Sequence, residues 1–337
     1  MEESEIQQRF FSHIKSLLPK HLSLVDVMTD LLDLSHDSIY RRIRGEKPIT
    51  LKELKILCEH FQVSLDQVLQ IQNNSIVFLA PETGRDEYDF GAYLRGMKAQ
   101  LDYFNSFDNR KLMYITKDIP VFHFFQLHDL AVFKSFFWIK SIINHPDYQK
   151  KNFSFGENSF EEFVRMGFDI VKAYNEIPSV EIWNFESVNS MISQIEYYRE
   201  AGIFANKEDL VRVLDSLDQL LSHLEHQVSE GCKFMHGAGE AGYRATLKFY
   251  YNELILGNNS GIVELDGRLS CFVNHGVIHY LMTSDERFNK RAFNNYNTLI
   301  NRSTMISQTG EKERNRFFNT LREQVRSCKT KSIALMN

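Results

Sequence analysis

The stretch Ser35–Pro48, SHDSIYRRIRGEKP, decides how the first part of this chain is read. Arg41, Arg42, Arg44 and Lys47 fall within seven residues, in a protein whose net charge is −5. Ser35 is a good helix N-cap, Gly45 suits a helix end, and Pro48 stops continuation, so the stretch predicts a short helix at about His36–Arg44. Leu34 and Ile39 can pack inward. If Ile39 and Ile43 form the buried stripe, a 100° step per residue turns Asp37, Tyr40, Arg41 and Arg44 outward. Arg42 then lies to one side, and Lys47 follows in the turn after Gly45. Another helix is expected just upstream at Leu24–Leu32. Two helices joined by a tight turn make a helix-turn-helix, whose second helix suits the major groove of DNA.

That arrangement divides the labour. Side chains near the start and centre of such a helix reach base edges, and flanking groups hold phosphates. His36, Asp37, Tyr40 and Arg41 are therefore expected to read bases. Ser35, Arg42, Arg44 and Lys47 are expected to contact phosphates. Residues 1–70 carry nine Lys and Arg against eleven Asp and Glu, so the positive charge is local and the segment is not basic as a whole. The net charge likewise argues against a protein that coats nucleic acid without regard to sequence.

The order of parts around this helix resembles the Cro/C1 (Xre) type of helix-turn-helix domain. The matching parts are Leu34-Ser35 in the turn, Arg44-Gly45 closing the second helix, Pro48 with Thr50-Leu51 and Leu54 opening the next, and Val63-Ser64-Leu65-Asp66 opening the last. Within that group the wording YRRIRGEKPIT is similar to BetR-type regulators. The resemblance spans roughly residues 6–70. It departs from pattern at Asp33, where a Gly is common, and at Ile43, one position beyond the usual apolar site. It implies a transcriptional regulator that binds double-stranded DNA.

Around these motifs, five short helices are expected, at Ile6–Leu18, Leu24–Leu32, His36–Arg44, Leu51–His60 and Leu65–Leu69, forming a DNA-binding domain over residues 1–73. A linker is expected over 74–89, where NNS and APETGRDE break the pattern. Residues 90–337 then read as a larger, mostly helical sensor or dimerisation domain with a small antiparallel β-meander, so the fold class is expected to be mainly α. Phe90–Phe104 and Leu210–Val228 carry heptad seams, which serve either a bundle core or a dimer contact. Asp266-Gly267 is a strong two-residue hairpin signal inside the meander. Hydrophobic content of 43% and charge of 25% are those of an ordinary globular chain. The acidic start MEESEIQQRF does not read as a signal peptide. The apolar region Val121–Ile143 is broken by His123, His128, Asp129, Lys134 and Lys140, which a membrane span should not carry. Four scattered cysteines without a CxxC pair suit reduced thiols and a cytoplasmic location.

Other constellations are weaker. Gly237, Gly239 and Gly242 have dinucleotide-fingerprint spacing but follow a poor strand and precede hairpins. His223, His226, Cys232 and His236 are zinc-ligand types without a zinc-site spacing. Cys271, His275 and His279 cluster around an NHG turn. No catalytic residue, metal or cofactor is expected. Three functions remain open: a homodimeric regulator whose C-terminal domain senses a small molecule or protein effector, a nucleotide-binding protein or enzyme carrying a DNA-targeting module, and a protein-binding adaptor.

Overall fold

The computed structural model describes the chain except residues 1–2, 20, 62, 66–75, 81–88, 157–159, 255–256, 258, 277–278 and 336–337. The expected fifth helix, apart from Leu65, and most of the expected linker lie outside the described residues. Two compact units emerge, one of Met1–Leu79 with Met282–Asn289, the other of Ala80–Leu281 with Lys290–Asn337.

The described residues of the first unit include the helices α1 (Glu3–Leu17), α2 (Leu24–Leu32), α3 (His36–Ile43) and α4 (Leu51–Phe61). Their core gathers Phe10, Phe11, Ile14, Met28, Ile39 and Leu57, all essentially buried. Ser23 and Ser35 cap α2 and α3 by accepting from Asp26 N and Ser38 N. Between α2 and α3, Asp33 takes the left-handed conformation (φ 52°). Asp is among the few residues other than Gly that tolerate this conformation.

The second unit overturns the expectation of a mainly α fold with a small meander. Among the described residues seven strands form one mixed sheet: β1 (Arg110–Ile115), β2 (Ser179–Trp183), β3 (Leu247–Tyr251), β4 (Ser260–Leu265), β5 (Arg268–Asn274), β6 (Tyr280–Thr283, whose last two residues belong to the first unit) and β7 (Thr304–Met305), in the order β6-β5-β4-β1-β2-β3-β7. β1, β2 and β3 are parallel, with Met113 opposite Val180 and Val180 opposite Lys248. β4 joins β1 antiparallel, so the expected hairpin extends a larger sheet. Its turn forms at Asp266-Gly267, both with positive φ (47° and 85°), as a type I′ turn requires.

A strand is expected from the sequence at Lys111–Thr116, where β1 forms, but β2 escaped that reading for a physical reason. β2 is buried along its whole length and shows no alternation. Its partners lie nearly seventy residues away on either side, so no local turn marks the pairing.

Helices fill the rest of this unit: α5 (Phe90–Asn105), α6 (Val121–Phe124), α7 (His128–Phe137), α8 (Glu161–Asn175), α9 (Asn189–Glu200), α10 (Lys207–Glu230) and α12 (Glu311–Leu335), with α11 (Glu286–Asn301) beginning in the first unit. The apolar stretch Val121–Ile143 is divided into α6, α7 and a π turn at Trp138–Ile142. α10 packs on α12 and α5 on α8. Leu210, Leu214, Leu217, Leu221, Leu224 and Val228 are buried, as are Phe90, Leu94, Leu101 and Phe104, so both seams are spent on this unit's own core. No helix among the described residues is long and apolar enough to cross a membrane.

Candidate nucleic-acid interface

α3 follows from its caps and its buried stripe. Ile39 is fully buried and Ile43 partly so, while Asp37, Tyr40, Arg41 and Arg44 are exposed. Tyr40 keeps 48% of its surface, and the Arg41 and Arg44 side chains keep 54% and 66%. The Arg44 guanidinium lies 5.9 Å from the Tyr40 ring centre. Glu46 sits 3.8 Å from Arg41 and 3.7 Å from Arg44, loose exposed pairs that a phosphate can replace at small cost. Ser35, His36 and Lys47 are also exposed, and His36 Nε2 lies 3.1 Å from Asp26 Oδ1.

Arg42 departs from its expected role as a phosphate contact. It is 3% exposed and points between helices. Its Nε and Nη2 donate to Glu53 at 3.2 and 2.7 Å, and Nη1 donates to the Ser38 carbonyl at 3.1 Å. Glu53 also closes a capping box at the start of α4, accepting from Thr50 N while Thr50 Oγ1 accepts from Glu53 N. Burial pushes the Glu53 carboxyl up, but the Arg42 and Thr50 hydrogen bonds and the Arg42 charge outweigh it and hold it below its ordinary value. One carboxylate thus starts α4 and neutralises a cation of α3. The spacing left Arg42 at the edge of the buried stripe; its burial is decided by Glu53, eleven residues on.

Sequence reasoning also missed how α1 holds the far end of α3. Gln7 is buried, and its Nε2 donates to the carbonyls of Arg42 (2.7 Å) and Lys47 (2.8 Å). Its Oε1 accepts from Ile49 N (2.9 Å). Gln8 adds a bond to the Arg44 carbonyl (2.7 Å). Gly45 has φ +76°, and a β-carbon there would come within 3.0 Å of the Ser4 side chain. The turn after α3 is therefore clamped to α1. A rigid support is what a recognition surface needs, because each side chain must arrive in register.

The second unit holds a buried polar cluster. Glu181 on β2 accepts from Trp183 Nε1 (2.8 Å) and Tyr174 Oη and lies 3.2 Å from His123 Nε2. The Lys233 ammonium donates to the Tyr174 carbonyl (2.7 Å) and lies 3.6 Å from that ring's centre. All five side chains are buried, and among the described residues His123 Nδ1 has no hydrogen-bond partner. Its only sequence signal was one acid inside the apolar run SVEIW.

The weaker motifs fall apart in space. Gly237–Gly242 leads into a three-residue 3₁₀ turn and then β3, without the helix that a phosphate loop requires. The His223 and His236 rings meet edge-on at 5.3 Å, whereas His226 faces Glu230. Burial, then the nearby His236, pulls His223 down to about 3. Among the described residues no group of three or more His, Cys, Asp or Glu is arranged to hold a metal ion. All four cysteines are free thiols.

Comparison of the chain with protein-family models, curated proteins and solved structures found no match.

Proposed function

We propose that this protein is a sequence-specific transcriptional regulator that binds double-stranded DNA through α3. The observation that carries the reading is the exposed set Asp37, Tyr40, Arg41 and Arg44 on a short helix held at its far end by Gln7 and Arg42. In this reading His36, Asp37, Tyr40 and Arg41 read base edges, and Ser35, Arg44 and Lys47 hold phosphates. No catalytic residue is assigned, and the protein works in the cytoplasm, where it reaches the chromosome.

With few free cations, one such domain has an affinity near the non-specific range, about 10⁻⁴–10⁻⁶ M. Joining two makes the second contact intramolecular and raises avidity by about 10²–10⁴. We therefore propose a homodimer reading half-sites about 34 Å apart, or a multiple of that. Light scattering on the full chain with and without its operator tests that part.

The direct test is genomic footprinting of the tagged full-length protein, followed by binding to the recovered site and to random DNA. Arg41→Ala should cost about 1–3 kcal/mol of discrimination between the two. Lys47→Ala should weaken both alike. The absence of any enriched site would sink the reading, and equal losses on both DNAs for Arg41→Ala would remove Arg41 from base readout.

A further inference from the structure

A cavity of about 180 Å³ in the second unit is lined in part by β1 and the residues that follow it. Its walls are mainly apolar and aromatic, including Met97, Phe104, Tyr114, Phe122, Phe124 and Trp138. Trp138 begins the π turn that follows α7, a local irregularity frequent at functional sites. Into this apolar lining α7 sends a lysine. Lys134 is 3% exposed, and its Nζ lies 4.6, 5.0 and 4.8 Å from the ring centres of Phe124, Phe137 and Trp138.

An ammonium has three N–H donors. Among the described residues Lys134 uses one, donating to Gln194 Oε1 at 2.7 Å. The Gln194 amide is held in that orientation by its own bond to Ser190 Oγ (3.2 Å). The ring faces favour the cation, yet no carboxylate forms an ion pair with it among the described residues. Asp118 lines the same cavity, half-buried, without pairing to Lys134.

We propose that this cavity binds a small monocarboxylic acid, its apolar body about the size of one six-membered ring and its carboxylate on Lys134. The carboxylate supplies the missing counter-charge and accepts the unused donors. The size follows from the volume: an apolar cavity of about 150 Å³ takes benzene, and the remainder suits one small polar group. The site is separate from the DNA reading and stands or falls without it.

Burial pulls Lys134 down to about 7, against which Asp118 acts weakly. A bound anion restores the charge, so binding takes up a proton and tightens as the pH falls. The other titratable groups lining the cavity are His279 and the tyrosines Tyr93, Tyr114 and Tyr280. Burial pushes the three tyrosines up, so they stay neutral near pH 7.

The test is calorimetric titration of the full-length protein with benzoate, phenylacetate, benzamide and benzylamine. At least one acid should bind about tenfold or more tighter than benzamide, and about tenfold tighter at pH 6 than at pH 8. Lys134→Met should remove the preference for acid over amide, and with it the pH dependence. The proposal is overturned if no acid binds at millimolar concentration, if acid and amide bind alike, or if Lys134→Met keeps the preference. Tighter binding of benzylamine would place the anchor at Asp118 and also overturn it. Should Lys134→Met fail to fold, the pH profile of the native protein decides, and an affinity unchanged between pH 6 and 8 refutes the assignment.

Discussion

Arg42 and Lys134 are both 3% exposed, one in each unit, and the chain treats these two buried cations in opposite ways. Arg42 meets a carboxylate through two hydrogen bonds and a backbone carbonyl through a third. Its charge is spent on joining α3 to α4. Lys134 meets one neutral amide oxygen and three aromatic rings. No carboxylate forms an ion pair with it among the described residues, and Asp118 acts on its charge only at longer range. The difference teaches that a cation's place in a sequence does not tell whether it is available. Arg42 stands in a basic run and is a strut. Lys134 interrupts an aromatic helix and is open to a ligand.

The largest effect that would break this contrast concerns Arg42. Arg42→Ala should destabilise the first unit by about 3–5 kcal/mol, because Glu53 keeps its charge and loses its partner in a mostly buried place. Urea unfolding of the full chain measures it; a loss below about 1 kcal/mol would deny Arg42 its structural role. The pH dependence follows from Glu53. Its folded value is depressed, so its stabilisation is complete above the ordinary Glu value of 4.5 and is lost as the pH falls below that. In Glu53→Gln this acid-side loss should shrink.

Gln7→Ala comes next, at about 2–3 kcal/mol. It leaves the Lys47 carbonyl and the Ile49 N–H without their Gln7 partner and removes one of the two bonds to the Arg42 carbonyl, which also accepts from Gly45 N. It should also weaken DNA binding without touching a base-reading side chain, which sharpens the distinction between support and contact. Unchanged binding by a folded Gln7→Ala variant would show that the clamp is not needed for recognition.

Lys134→Met should behave unlike Arg42→Ala, holding stability at pH 7 constant or raising it by up to about 1 kcal/mol, since no carboxylate partner is abandoned. Its pH dependence has the same sign as that of Glu53 and lies in a higher pH window. The folded Lys134 is lowered to about 7 while the unfolded lysine keeps 10.5, so the unfolded chain binds more protons between them. Stability from this group therefore rises with pH from 7 towards 9. Lys233, also lowered to about 7 by burial, adds a second rise of the same kind. Thermal melts at pH 7, 8 and 9 should show a smaller increase in Lys134→Met than in the native protein; equal increases would assign the slope elsewhere.

The last pair of variants tests the turn. Asp33→Gly relieves a left-handed residue and gives the unfolded chain more freedom, so the net gain should be about 0.5 kcal/mol. Asp33→Val, which tolerates this conformation badly, should instead lose about 1–2 kcal/mol. Melting both variants checks the pair, and a stabilising valine would contradict the backbone assignment.

The sequence by itself determined what is local. Ser35, Gly45 and the Ile39 stripe set α3 and its exposed edge through capping and helical periodicity, which act over a few residues. Asp266-Gly267 set the β4–β5 hairpin in the same way, and the α10 seam set a buried helix. Only the tertiary structure decided what depends on partners distant along the chain. β2 became a strand because β1 and β3 lie on either side of it, and a strand buried on both faces has no period to read. Arg42 became a strut because Glu53 arrives beside it, and the α3 turn became rigid because Gln7 crosses from α1. Lys134 became available for the converse reason: the packing of α6, α7 and α9 surrounds it with rings and one amide but brings no carboxylate into an ion pair with it among the described residues. A charge is neutralised by what stands within a few ångströms, and sequence separation carries almost no information about that distance.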